Sequence, residues 1–478
     1  MAYINQKIKE VFPDLSVMKQ ASNNAFFKGR NLPSFVKDFV LRRFTDSEGN
    51  IDAGALKSYL DEKMPIDSNF IKQRLISGES VNITTRFITA TDIAKKRVVV
   101  SIPDLGINTD TYITETLLQE KGAALADGEY WGNITLEYIE PQGKRNGFIQ
   151  ITSYHAFEPY KIDVEYYMQA RQQFSLDEWI DVLVTVMEYN AEMLSQEEKL
   201  LMISRMLSLV EPRVNMIELG PKGTGKSYVY TNLSKFAWLL GGGKTSRARL
   251  FYNKATKQFG VIKNHDVVGM DEISTMTFAE PDEMQAILKV YLESGETKVD
   301  SIPFQSECGL VLLGNIPLTK ELKPQNSDYF RNLPEMFHES ATMDRFHGFI
   351  EGWKLPRLNQ SHLMEGWTLN TEYFSTVLHL LRSASEYDEM FNQLVETEED
   401  CDLRDKKAIR RLAAAYHKLL FPHVHSLEDV ADEDKENFKK LYAHYCLEPA
   451  VASRKIIRQQ CHLIDKEFKA EMAKFDVR

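Results

Sequence analysis

The sequence predicts an α/β chain: a parallel-sheet core, preceded by a mixed helical and β-rich region and followed by a helical one. Three observations predict this. Apolar residues three and four apart run through the first ~75 residues, and helical patterning returns beyond about residue 358. From about Thr84 the period changes to short β-rich runs separated by turn-forming segments. Between these regions stand three apolar runs, VNMIEL, VVGM and GLVLLG, each short enough for a buried strand and each followed by polar or glycine-rich residues. The expected division is 1–165, 166–357 and 358–478.

At 478 residues the chain has room for roughly three domains of ~150 residues. A hydrophobic content of 43% with 27% charge describes a globular protein rather than a disordered one. No apolar run approaches the ~18 residues of a membrane span, so no membrane association is expected. The start, MAYINQKIKEVFPDL, lacks the basic-then-apolar profile of a secretion signal. Cys308, Cys401, Cys446 and Cys461 are scattered, which suits a reducing cytoplasm rather than a disulfide framework or zinc site. His423 and His425 form a close pair that reads as a loop feature. The net charge of −11 excludes a protein coated in positive charge, though not a locally basic channel.

Taken in order, LPSFVKDFVLRRF and ALKSYLDEKM read as helices of the first region. RVVVSIPD, NITLEYIE and FIQITSYHAF then read as strands of a small barrel-like or OB-like domain, with turns expected at DGEYWGN and PQGKRNG. Its basic tips, Lys95-Lys96-Arg97 and Lys144-Arg145, stand among Tyr130, Trp131 and Phe148, a mixture suited to a nucleic-acid backbone with stacked bases or to a solvated hairpin tip. Residues 166–210 are helical, with Ser175 as N-cap of FSLDEWIDVLVTVMEYNAEM.

The chemistry sits in ELGPKGTGKSYVY. Gly220, Pro221, Lys222, Gly223, Thr224, Gly225, Lys226 and Ser227 spell G-x-x-x-x-G-K-S between a strand, Val214–Leu219, and an expected helix, Tyr228–Leu240. Glycines let backbone N–H groups turn inward around phosphates, Lys226 supplies a cation, and the Ser227 hydroxyl can join a Mg2+ shell, so ATP and Mg2+ are the expected cofactors. Forty-five residues beyond Lys226, the run Val267–Met270 ends in Asp271-Glu272. There Asp271 would hold magnesium and Glu272 would orient and deprotonate water. A third strand, Gly309–Gly314, ends at Asn315, whose amide can hold the attacking water. Arg345, 30 residues further on, could be lent to a neighbouring subunit's phosphates. The helix-like DLRDKKAIRRLAAAYHKLLFP carries Arg404, Arg410 and Arg411.

This order of motifs resembles the AAA+ ATPases over about residues 176–420, implying Walker A, Walker B, sensor 1, arginine finger and sensor 2 in turn. MDRFHGF and LRDKKAIRRLAAA are similar to the finger and sensor-2 segments of the MCM helicases, which would make Arg404 sensor 2; analogy with Lon-type ATPases would choose Arg410. ETKVDSIPFQSE has the length of a β-hairpin where MCM-type proteins point a lysine into the channel, with Lys298 the candidate. As a whole the chain resembles the BrxL family, Lon-related AAA+ proteins of bacterial BREX phage defence, through ELGPKGTGKSYVY, DVVGMDEIS, GLVLLGNI and RFHGFIEGWKLPRL. That likeness implies a homo-oligomeric ring, a hexamer or stacked hexamers, that hydrolyses ATP and binds DNA as motor or clamp, with other BREX proteins as possible partners. An ATP-driven protein unfoldase is the alternative, with Phe259-Gly260 in roughly the place of a polypeptide-gripping loop. Family members commonly continue into a Lon-protease-like domain; after residue 420 only helical segments are expected here, and no protease activity.

Overall fold

The computed structural model describes the chain apart from residues 1, 31, 47, 93–96, 122–124, 126–127, 144–145, 157–161 and 255–257. It forms two compact units, one of Met1–Gln20, Pro33–Phe35 and Ile162–Arg478 and the other of Ala21–Leu32 and Val36–Lys161. The chain opens with α1 (Ala2–Val11) and strand β1 (Ser16–Lys19). Residues 1–20, grouped by the sequence reading with the N-terminal region, belong to the larger unit because β1 pairs antiparallel with a distant strand, Ser16 opposite Leu369.

Next come α2 (Ser34–Arg43), which belongs to the smaller unit from Val36 onward, α3 (Ala53–Lys63) and α4 (Ser68–Ile76). Asp52 and Asp67 cap the last two by accepting backbone N–H groups from Ala55 and Asn69. Next come β2 (Val81–Asp92), β3 (Arg97–Ser101), β4 (Thr111–Ile113), α5 (Glu115–Lys121), β5 (Gly128–Ile139) and β6 (Phe148–Ala156). The five strands close a barrel in the order β2-β3-β4-β6-β5, with β4 and β6 parallel. Alternate residues such as Val98 and Val100 point inward to meet Phe87, Ile134, Leu136 and Ile151. The expected turn DGEYWGN is strand from Gly128 onward, Asp127 lying outside the described residues, and Tyr130 stacks on Phe87. Gly132 reads as a turn residue but serves close approach, since a Cβ there would lie 2.4 Å from the His155 carbonyl oxygen.

The larger unit resumes with α6 (Val164–Arg171), α7 (Leu176–Val186), α8 (Gln196–Ile203) and α9 (Leu207–Val210). Ser175 caps α7 in a reciprocal capping box with Glu178, as expected, but the helix stops at Val186. Then come β7 (Met216–Leu219), α10 (Lys226–Asn232), β8 (Ala237–Leu240), β9 (Lys244–Thr245), α11 (Arg247–Leu250), β10 (Tyr252–Asn253), β11 (Gln258–Phe259), α12 (Val261–Asn264) and β12 (Val267–Met270). The helix expected to Leu240 therefore ends at Asn232. Its last residues pair with β12 instead, Ala237 beside Val267, so sheet formation overrides the local helical pattern.

After β13 (Thr277–Phe278) and α13 (Pro281–Ser294), β14 (Glu296–Val299) and β15 (Ile302–Gln305) form a hairpin, followed by β16 (Gly309–Gly314), α14 (Ser340–Met343) and β17 (Gly348–Glu351). The main sheet is wholly parallel in the order β17-β7-β16-β12-β8, and its core includes Ile217, Leu219, Val268, Met270, Leu310, Leu312 and Phe349. The C-terminal part comprises β18 (Gly366–Leu369), α15 (Thr371–Leu381), α16 (Glu386–Leu394), β19 (Val395–Thr397), α17 (Leu403–Leu420), α18 (Lys435–Tyr442), α19 (Glu448–Ile464) and β20 (Phe475–Val477). It is built into the core: the Ser453 hydroxyl on α19 donates to the Phe349 carbonyl of β17 at 2.9 Å and accepts that residue's N–H at 2.8 Å. Among the described residues no helix is long and apolar enough to cross a membrane.

Candidate nucleotide site

Because β7, β16 and β12 are adjacent and parallel, their C-terminal ends lie along one edge. The segments that leave that edge are the glycine-rich loop, Asn315 and Asp271-Glu272. They touch. The Ser227 hydroxyl donates to Asp271 Oδ2 at 2.6 Å, and the Glu272 N–H donates to Asp271 Oδ1 at 2.9 Å. Lys226 Nζ donates to the Gly220 and Pro221 carbonyls at 3.1 and 2.7 Å and reaches Asn315 Oδ1 at 3.4 Å. Burial lowers the Lys226 pKa, opposed by the nearby carboxylates of Glu218 and Asp271.

The loop depends on its glycines. Gly223 and Gly225 have φ of +84° and +76°. A Cβ on Gly225 would also lie 2.3 Å from the Tyr189 hydroxyl oxygen and 2.8 Å from Leu358 Cδ1. Lys222 is exposed and Thr224 buried, while the Leu358 N–H donates to the Gly223 carbonyl at 2.8 Å and braces the loop from outside the motif. Glu272 is exposed, with a left-handed backbone (φ +49°). Its carbonyl accepts from the Thr275 N–H and hydroxyl, which fixes the turn that presents it.

Beneath the loop lies a pair that sequence reasoning missed. Glu218 on β7 and Arg205 are both wholly buried and joined by two contacts, Nη2 to Oε1 at 2.6 Å and Nε to Oε2 at 3.1 Å. An acid inside the apolar run VNMIEL was the available signal.

Arg345 stands in a different group. Its Nε lies 3.1 Å from Glu293 Oε2 and its Nη1 donates to the Ala341 carbonyl. Arg404 reaches the same Glu293 oxygen at 3.2 Å and Asp344 at 3.1 Å, whereas Arg410 pairs with Asp388 at 3.3 Å. The two sensor-2 candidates thus have different surroundings, and Arg404 shares its partner with Arg345. Burial opposes the Arg404 charge, but the Asp344 and Glu293 carboxylates outweigh it and raise its pKa.

Of the basic tips, Lys95, Lys96, Lys144 and Arg145 lie outside the described residues. Arg97 opens β3 with its guanidinium 3.9 Å from the Tyr112 ring centroid, and Tyr112 meets Phe148 edge-on at 5.6 Å. Lys298 is exposed on β14 opposite Pro303, on a hairpin closed by Asp300 and Ser301 with φ of +49° and +69°. Phe259 belongs to the β10–β11 ladder and packs on Tyr252 and Phe304.

A family model described as "Lon-like protease BrxL-like, ATPase domain" matches residues 149–474, and one described as "BREX system Lon protease-like protein BrxL N-terminal" matches residues 10–138. The chain belongs to the BrxL family. It is 28% identical over 410 residues to a "Lon-like protease BrxL" of Escherichia coli O9:H4 (strain HS), covering 84% of this chain and 58% of that protein. A "Lon-like protease BrxL" of Bacillus cereus (strain H3081.97) is 27% identical over 441 residues, covering 91% of this chain and 64% of that one. The chain thus spans about three-fifths of the length of these BrxL relatives. The BrxL ATPase match encloses the whole loop site, and an ATPase domain implies nucleotide use.

Proposed function

We propose that the chain is an AAA+ subunit that binds ATP with Mg2+, hydrolyses it in a homo-oligomeric ring, and engages DNA in BREX-type phage defence. The observation that carries this reading is the 2.6 Å contact between Ser227 and Asp271, which brings the end of the glycine loop to the acid of a strand two positions away in the sheet. A hydroxyl beside a carboxylate is an oxygen donor set suited to Mg2+, which when bound would shield phosphate charge. The loop N–H groups and Lys226 would hold the phosphates; Lys226 would exchange the Gly220 and Pro221 carbonyls for them. Glu272 would take the proton of the attacking water, and Asn315, just past the strand between the loop and the acids, would orient that water. Arg345 would act on a neighbour's nucleotide.

DNA engagement is proposed for the barrel and hairpin. The strand order, with the third and fifth strands parallel, supports an OB-like barrel, a fold that binds oligonucleotides with its first–second and fourth–fifth loops. Lys95 and Lys96 lie in the first of those connections and Lys144 and Arg145 in the second. Exposed Lys298 offers a further phosphate contact. The unfoldase alternative lacks such support, since Phe259 is engaged in a ladder and an aromatic cluster.

Glu272→Gln tests the reading. It should bind ATP as wild type does, lose turnover by about 10²–10⁴-fold, and retain duplex DNA. Wild-type ATPase should be stimulated by DNA and not by unfolded protein, with DNA affinity falling steeply as salt rises. Rapid hydrolysis by Glu272→Gln, or stimulation by unfolded protein alone, would overturn it.

A further inference from the structure

We propose that Glu293 is the positioning residue for Arg345 and Arg404, setting both guanidiniums from one carboxylate oxygen; this rests on reading Arg345 as the residue lent to the neighbour. Glu293 lies in the last turn of α13, immediately before the hairpin. Its Oε2 meets Arg345 Nε at 3.1 Å and Arg404 Nε at 3.2 Å, from two segments 59 residues apart in sequence. Lys407 joins them, with Nζ 3.0 Å from the Glu293 carbonyl oxygen and 3.7 Å from Oε1. Asp344, the other acid at this place, pairs with Arg404 alone of the three and is bound chiefly by wholly buried Arg454, which holds its carboxylate at 2.5 Å and its carbonyl at 2.8 Å. Among the described residues Glu293 is therefore the acid that all three cations share.

An ion pair this exposed contributes little to stability (the Glu293 side chain is 38% exposed), so its meaning is geometric. A guanidinium is planar, and fixing its Nε fixes the direction of its remaining donors. Arg404 is fixed this way by its Nε hydrogen bond to Glu293 Oε2, whereas Arg345 is oriented by its Nη1 bond to the Ala341 carbonyl and held toward the same Glu293 oxygen by charge, its Nε making no aligned hydrogen bond. Without the shared carboxylate the three cations repel one another and both arginines lose their common anchor. Two α13 contacts further back steady the same seam: Lys289 Nζ lies 2.5 Å from Glu339 Oε1, and Gln285 donates to the Met336 carbonyl at 2.6 Å.

The experiment compares Glu293→Gln, Arg345→Ala and the double variant in the assembled 478-residue chain, with sedimentation to verify assembly. Glu293→Gln should lower kcat on the order of 10- to 100-fold with KM for ATP unchanged, because the arginines serve the transition state rather than nucleotide binding. Glu293→Asp, which keeps the charge, should restore part of the rate. Added to Arg345→Ala, Glu293→Gln should cost much less than it does alone, since the group it positions is already gone. A wild-type kcat for assembled Glu293→Gln overturns the inference, and so does a double variant in which the two losses multiply fully. If Arg345→Ala itself turns over normally while Glu293→Gln is slow, the reading of Arg345 has failed, and the role of Glu293 toward it fails on that separate result.

Discussion

Glu218 and Arg205 show how the strand beneath the glycine loop is held. Two charges wholly out of water are tolerable only as a pair, and here they meet through two contacts. Glu218→Gln should therefore destabilise the protein by about 3–5 kcal/mol, because it leaves the Arg205 charge buried without its counter-ion. Replacing both by apolar residues of similar volume should cost far less. Denaturant midpoints check this, and equal losses for the single and double variants would refute it. The sequence reading assigned Ser227 and Asp271 separately to one magnesium ion, and the structure brings the two side chains to 2.6 Å of each other. Arg205 was not legible as the partner of Glu218, because a helical stretch carries no mark of which strand residue it will meet.

At the scale of elements, legibility followed burial. Val267–Met270 and Gly309–Gly314 were read with their observed bounds because a central parallel strand is apolar on both faces. The edge strand β8 is only partly covered and continues a helical pattern, so it read as helix; β17 was missed because its partner residues on β7 lie 132 positions earlier, Gly348 opposite Met216. His417 on α17 reveals a further elemental property. It is wholly buried among the rings of Tyr387, Phe421, Phe438 and Tyr442, and burial pushes its pKa down to about 3; His423, in the loop after α17, is pushed down to about 4. Both are neutral in the folded chain at pH values where an unfolded histidine, with its pKa of ~6.5, takes up a proton. Stability should be full above about pH 6.5 and fall as pH drops toward 4, the unfolded state binding more protons throughout. His417→Phe should flatten that decline in thermal midpoint between pH 7 and pH 5. An unchanged slope would assign the acid sensitivity to the other histidines whose pKa burial lowers, His423 and His347.

The molecule as a whole presents two groups of candidate site residues, and among the described residues no hydrogen bond or ion pair joins one group to the other. Lys226, Ser227, Asp271, Glu272 and Asn315 form one, and Arg345 with Arg404 forms the other around Glu293. A subunit built this way should be a poor ATPase alone, with turnover per subunit rising as concentration drives assembly. Arg345→Ala should bind ATP nearly normally and hydrolyse it at least ~10³-fold more slowly, the range by which such arginines accelerate phosphoryl transfer. Mixing Arg345→Ala with Glu272→Gln subunits sharpens the test. Where a Glu272→Gln subunit lends its arginine to an Arg345→Ala subunit, the site between them holds an intact Glu272 and an intact Arg345. Activity should reappear in the mixture although each variant is inactive alone. Mixed rings that assemble and stay inactive would mean that Arg345 serves its own subunit or that all sites must fire together. Titrating a small fraction of wild-type subunits into Glu272→Gln rings separates these: independent sites give turnover in proportion to the wild-type fraction, whereas concerted firing suppresses it far more steeply. Normal turnover by Arg345→Ala would transfer the role to exposed Arg331, just before the same seam.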